Sequence, residues 1–103
     1  MYSRMARYAF IGDPRDLARR AQETMVPLFQ EQPGFVSYSV MATQNEVFSF
    51  SIWDTEEQAD AANTISREWV AANLAPDQIE LKESRVGELL VATSLGVDAT
   101  VGA

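Results

Sequence analysis

Phe-Val-Ser-Tyr-Ser-Val-Met-Ala-Thr at 35–43, Gln44-Asn45, and Glu-Val-Phe-Ser-Phe-Ser-Ile-Trp at 46–53 form the stretch that decides the fold. Both runs alternate at period two and both are rich in aromatic and β-branched residues, as paired strands are. In the first run Val36, Tyr38 and Val40 share one face, with Phe35, Ser37, Ser39 and Met41 on the other. In the second, Phe48, Phe50 and Ile52 share one face and Val47, Ser49, Ser51 and Trp53 the other. Gln44-Asn45 supplies the turn, so residues 35–53 read as a β-hairpin.

The flanks supply the remaining elements. Residues 4–11 read as a strand ending at Gly12. Asp13-Pro14 is a helix start, Asp as the cap and Pro in the first turn. Leu17, Ala18, Ala21, Met25, Leu28 and Phe29 follow at helical spacing, with Pro27 expected to kink the last turn and Gln32-Pro33-Gly34 to end it. After the hairpin, Thr55 and Gln58 fit a capping box, and 56–74 reads as a second helix with Ala62, Ile65, Trp69 and Ala72 or Asn73 buried. Ala75-Pro76-Asp77 stops it. Residues 78–93 read as the last strand, with a bulge or bend expected at Gly87. The order β-α-β-β-α-β, with right-handed crossovers, implies an α+β ferredoxin-like antiparallel sheet with two helices on one face. We expect a single domain over 1–103, with a core over 4–93 and a small, mildly apolar tail over 94–103.

Two helices cover one face of a sheet, yet both faces of the hairpin are apolar. An uncovered face of that kind is unusual in a monomer. Either a second copy packs sheet face on sheet face in a homodimer, or a helix or the tail wraps the open face.

Composition removes many chemistries. The 103 residues contain no His and no Cys, which excludes Ser-His-Asp triads, haem ligation by His, disulfides, iron–sulfur clusters and thiol catalysis. Catalysis is left to carboxylates, Arg, Tyr, Trp, amides and hydroxyls. The net charge of −7 argues against nucleic acid or an anionic membrane as partner. Arg15, Arg19 and Arg20 stand close together in the first helix and read as a solvated face. Glu56, Glu57, Asp60 and Glu68 make the second helix acidic, which solvation explains without a metal. Arg4, Arg7 and Asp13 interrupt the apolar runs near the N-terminus, so a cytoplasmic protein without a signal peptide is the expectation.

Gln32-Pro33-Gly34-Phe35-Val36-Ser37-Tyr38, the strand ending in Trp53, and Trp53-Asp54-Thr55-Glu56-Glu57-Gln58-Ala59 together resemble the antibiotic biosynthesis monooxygenase domain of the dimeric α+β barrel superfamily. The resemblance spans roughly residues 4–92. It implies a ferredoxin-like subunit, a homodimer, and a pocket between the sheet and the two helices. Members include cofactor-free monooxygenases of aromatic polyketides or quinols, haem-degrading enzymes and small-molecule isomerases. Trp53 falls on the family's strand-end Trp. Four residues earlier, where a monooxygenase pattern has Asn, this chain has Ser49. Two family His positions fall at about Asn63 and Glu68, which removes the iron ligand of the haem branch, and Trp69 occupies the aromatic position that follows. The resemblance therefore implies no cofactor.

The pocket candidates are Tyr38, Ser49, Trp53, Asn63, Trp69 and Arg85. Ser49 and Ser51 beside Trp53, under a helix of mostly Ala with Trp69, suggest a cavity bordered by two indoles. The competing reading is a filled core. Tyr38 and Tyr8 offer hydroxyls to the pocket or pack at its rim. Arg85 anchors an anionic oxygen or pairs with a neighbouring carboxylate, and Asn63 shares the side of Trp69 only if the helix phase allows. Two functions follow: a cofactor-independent monooxygenase acting on a small aromatic or quinol-type substrate, or a non-catalytic small-molecule-binding or stress-associated homodimer.

Overall fold

The computed structural model describes residues 1–100. Its elements are β1 (Tyr2–Phe10), α1 (Pro14–Thr24), α2 (Val26–Gln30), β2 (Phe35–Ala42), β3 (Glu46–Trp53), α3 (Glu56–Asn73) and β4 (Ile79–Glu88), followed by a single 3₁₀ turn at Thr93–Leu95. The strands form one antiparallel sheet in the order β2-β3-β1-β4, with the helices on one face, which is the ferredoxin-like α+β plan. β4 stops at Glu88, short of the expected residue 93, and Ala92 bridges to Val97 instead. Residues 101–103 of the expected tail lie outside the described residues.

Local chemistry explains the helix ends. The Asp13 carboxylate accepts from the Arg15 amide at 2.9 Å. The Thr55 hydroxyl accepts from the Gln58 amide (3.2 Å), while the Gln58 side chain accepts from the Thr55 amide (3.1 Å), closing the capping box. That Gln58 side chain lies so close over Gly34 that a Cβ there would collide with it, and Gly34 also has φ +83°. Pro27 lacks an amide hydrogen, and the first helix divides at Met25 into α1 and α2 rather than merely bending. Of the helical arginines, Arg19 pairs with Asp16 and Glu23. Arg20 Nη2 donates to the Asn73 carbonyl at 2.6 Å, placing a cation on the C-terminus of α3.

The two sheet faces differ. Toward the helices point Arg4, Ala6, Tyr8 and Phe10 of β1 and Val47, Ser49, Ser51 and Trp53 of β3, all buried. The α3 side facing them is small: Ala59, Ala62 and Ser66, then Trp69. Small residues on both sides let the helix lie directly on β1, β3 and β4, whereas α1 packs chiefly against α2. Ile65 is half-buried and Ala72 exposed, so the expected stripe is turned by one residue toward Ala59 and Ser66. A register shift between Phe35 and Ser37 brings Phe35 opposite Trp53, onto the helix side with Tyr38, and not onto the face of Ser37 and Met41 as strict alternation implies. A second shift falls between Arg7 and Tyr8 against β4, leaving Lys82 unpaired, while Gly87 pairs regularly with Ser3 and forms no bulge.

The capping box yields a direct test. Replacing Thr55 by Ala removes one of its two bonds and should lower unfolding stability by about 0.5–2 kcal/mol, read from the urea midpoint.

Candidate functional site

Between the sheet and the helices lies a cavity of about 40 Å³, bordered by Tyr8, Tyr38, Ser49, Ser66, Trp69 and, from α1, Leu17. Its volume corresponds to one or two water molecules. Leu17, Ala18 and Ala21 of α1 cover it alongside Trp69 of α3. The hydroxyls are paired within the protein. Tyr8 Oη and Ser66 Oγ are 3.0 Å apart, and Ser49 Oγ donates to Tyr38 Oη at 3.4 Å. The Trp69 indole N–H donates to Thr24 Oγ1 at 2.8 Å, so Trp69 offers the cavity its ring rather than its donor. Burial pushes the Tyr38 phenol above its ordinary pKa, and the Ser49 bond only partly offsets this. Tyr38 is thus a neutral donor at physiological pH, not a base.

Tyr38, Val40 and Ala18 form a thin wall. On its outer side an open groove of about 370 Å³ runs between α1, α2 and β2.

The six candidate residues separate into groups. Tyr38, Ser49 and Trp69 meet at the cavity. Trp53 does not: it is 1% exposed, its indole N–H donates to Ser51 Oγ at 2.9 Å, and edge-on contacts with Phe29 (5.6 Å) and Phe35 (5.3 Å) enclose it. The expected cavity between two indoles is therefore bordered by one, because the bulge in β2 turns Phe35 onto the other. Asn63 lines an adjoining cleft between α3 and β4, where its Oδ1 accepts from Arg4 Nε and, at 3.1 Å, from Ser84 Oγ. Arg85 is on the opposite face of the sheet. Its side chain is 72% exposed, pairs with Glu83 at 3.5 Å and donates to the Ser84 carbonyl. The shift at Lys82 sets that phase, and Arg85 is corrected from pocket lining to surface ion pair.

Arg4, Tyr8 and Ser66 complete the polar interior. Tyr8 was legible as a hydroxyl source. Arg4 follows from carrying the alternation of β1 back from Phe10 and Tyr8, which places a charged residue on the covered face. The acidic side chains of α3 stay dispersed, and among the described residues no three acidic groups come together to hold a metal ion.

The sheet order and the helices on one face give an α+β ferredoxin-like fold, which solved structures of antibiotic biosynthesis monooxygenases share. No protein-family profile matches the chain, and no curated protein matches it. Solved structures do. SnoaB, a cofactor-independent oxygenase from Streptomyces nogalater, is 15% identical with a TM-score of 0.65, over 89% of this chain and 95% of that one. A monooxygenase from ActVA-Orf6 of Streptomyces coelicolor, in complex with nanaomycin D, is 18% identical with a TM-score of 0.61, over 88% and 92%. A protein of Chloroflexus aurantiacus J-10-fl, provisionally named an antibiotic biosynthesis monooxygenase, is 17% identical with a TM-score of 0.62, over 93% and 97%. At these identities the likeness is one of fold.

The buried phenol has a measurable consequence. Below the ordinary tyrosine pKa of 10.0 the folded and unfolded chains both hold the Tyr38 proton; above it the unfolded chain releases its proton first. Stability should therefore fall as pH rises from about 10 through the higher folded-state pKa. Tyr38→Phe should remove part of that fall, as measured by urea unfolding at a series of alkaline pH values.

Proposed function

We propose that this chain is a cofactor-independent monooxygenase subunit acting on a small aromatic or quinol-type molecule. The observation that carries the reading is the set of hydroxyls from Tyr8, Tyr38, Ser49 and Ser66 gathered beside the Trp69 ring, in a position where a purely structural core carries aliphatic groups. The fold shared with SnoaB and the ActVA-Orf6 monooxygenase supports it.

The chemistry needs electrons, and the substrate supplies them. An anthrone-like methylene loses a proton and gives electrons to dioxygen. One oxygen atom ends as the new carbonyl and the other leaves as water. The chain's part is to orient the ring against Trp69, to donate from neutral Tyr38 to the substrate's developing oxyanion, and to keep water out. A substrate of this size does not fit in 40 Å³. Displacement of Tyr38 would join the inner cavity to the outer groove.

A second reading, a non-catalytic small-molecule-binding homodimer, is favoured by two particular residues. Ser49 stands where the monooxygenase pattern has Asn, and Trp53 is enclosed in the core. Oxygen uptake with a panel of quinols and anthrones separates the two. Consumption above the protein-free rate, reduced about tenfold or more by Tyr38→Phe, is the oxygenase outcome. Tight binding without uptake is the binding-protein outcome.

The same reading takes the homodimer as the functional unit and places the chain in the cytoplasm. Among the described residues no helix is long and apolar enough to cross a membrane. Met5, Met41, Phe48, Phe50 and Ile52 share the sheet face that no helix covers, with Phe48 and Phe50 stacked at 6.5 Å. We expect light scattering to give twice the chain mass, and Phe50→Glu to give the monomer mass. An unchanged dimer in Phe50→Glu places the contact elsewhere.

A further inference from the structure

Arg4 projects from β1 into the helix-covered interior and is 1% exposed. Its Nε donates to Asn63, but its Nη1 has no hydrogen-bond partner. None of the ion pairs among the described residues includes it. The groups around it, Asn63, Tyr8 and Tyr38, are all neutral. A guanidinium does not escape burial by losing its proton, so the folded chain keeps a desolvated cation with no counter-charge. Burial accordingly pulls its pKa below the ordinary arginine value. A buried charge of this kind is costly unless an anion reaches it.

The same side chain also borders a cleft. Arg4, Tyr8, Asn63 and Ser84 line a cleft of about 190 Å³ between α3 and β4, with Ile79 among its apolar walls and Arg67 also lining it. Arg67 is exposed and is likewise in no ion pair among the described residues. Two guanidinia and no carboxylate thus line one cleft in a chain of net charge −7. The cleft is below the roughly 300–1,000 Å³ of drug-sized sites, which suits a single ring rather than a fused system.

We infer that this cleft is a binding site for a small aromatic carboxylate, with the carboxylate accepting from the Arg4 guanidinium and the ring lying against the apolar walls. Arg67 adds a second positive charge and raises capture from solution. The site does not rest on the oxygenase reading, because a simple carboxylate such as benzoate gives no electrons to dioxygen.

Calorimetric titration of the wild-type protein with sodium benzoate, benzamide and inorganic phosphate tests it. Benzoate should bind, with benzamide, its neutral isostere, about tenfold or more weaker. Phosphate should not displace it at equal concentration. Arg4→Met should lose about tenfold or more in benzoate affinity, and Arg67→Gln, a surface change that leaves the core intact, severalfold. Arg4→Met should also melt at a higher temperature than wild type without ligand, and benzoate should no longer raise its Tm. Equal binding of benzamide, displacement by phosphate, wild-type affinity in both variants, or no heat of binding up to about 10 mM benzoate would each overturn the assignment. If Arg4→Met fails to fold, the wild-type comparison and Arg67→Gln still decide it.

Discussion

The contact between α3 and the sheet is made by small residues on both sides, and the rest of the interior is arranged around it. Ala59 and Ala62 are fully buried and Ser66 nearly so, facing Ala6, Ser49 and Ser51. Close approach of backbone to backbone leaves no space for a large apolar layer along this seam. The bulk of the core is displaced to its two ends. At one end Trp53, Phe29, Phe35 and Tyr38 form an aromatic cluster, with centroid distances of 5.3–6.2 Å. At the other end Trp69, Met25 and Leu17 border the inner cavity. The polar groups Arg4, Asn63, Ser66 and Tyr8 occupy the middle, where helix and strand are near enough for side chains on one to reach side chains on the other.

Much of this was legible from residues whose effect is local. Asp13-Pro14 and the Thr55–Gln58 pair act through bonds to neighbouring amides, so their reading survives any tertiary arrangement. The hairpin was legible because period-two alternation and a short turn are sufficient to define it. Readings failed where phase depended on pairing between strands. The bulge at Val36 carries no glycine and no sequence mark, yet it moves Phe35 across the sheet and closes Trp53 off from the cavity. The shift at Lys82 is equally silent, and it decides that Arg85 faces outward. Gly87 advertised a bulge that the ladder does not need. Pro27 predicts a kink; the helix instead divides at Met25, and the short piece that follows, Val26–Gln30, sets Phe29 in the aromatic cluster.

The two faces of the sheet also divide the charges. On the open face Arg7 pairs with Glu46 at 2.7 Å and with Glu83 at 3.6 Å, and Glu83 in turn meets Arg85. These exposed pairs contribute little to stability by themselves. Beside the row of Met5, Met41, Phe48, Phe50 and Ile52 they make a surface with an apolar centre and a charged flank. The covered face shows the reverse economy: one buried arginine, one acid (Glu88) exposed at the end of the sheet, and hydroxyls in place of aliphatic bulk.

The contact between Gly34 and Gln58 reaches beyond this molecule. The two positions lie in different elements, yet the reciprocal cap on α3 is possible only while position 34 has no side chain. A side chain at 34 would push the Gln58 side chain away and release its half of the cap. A correlated pair at 34 and 58 in divergent sequences would trace this helix entry where overall similarity has faded.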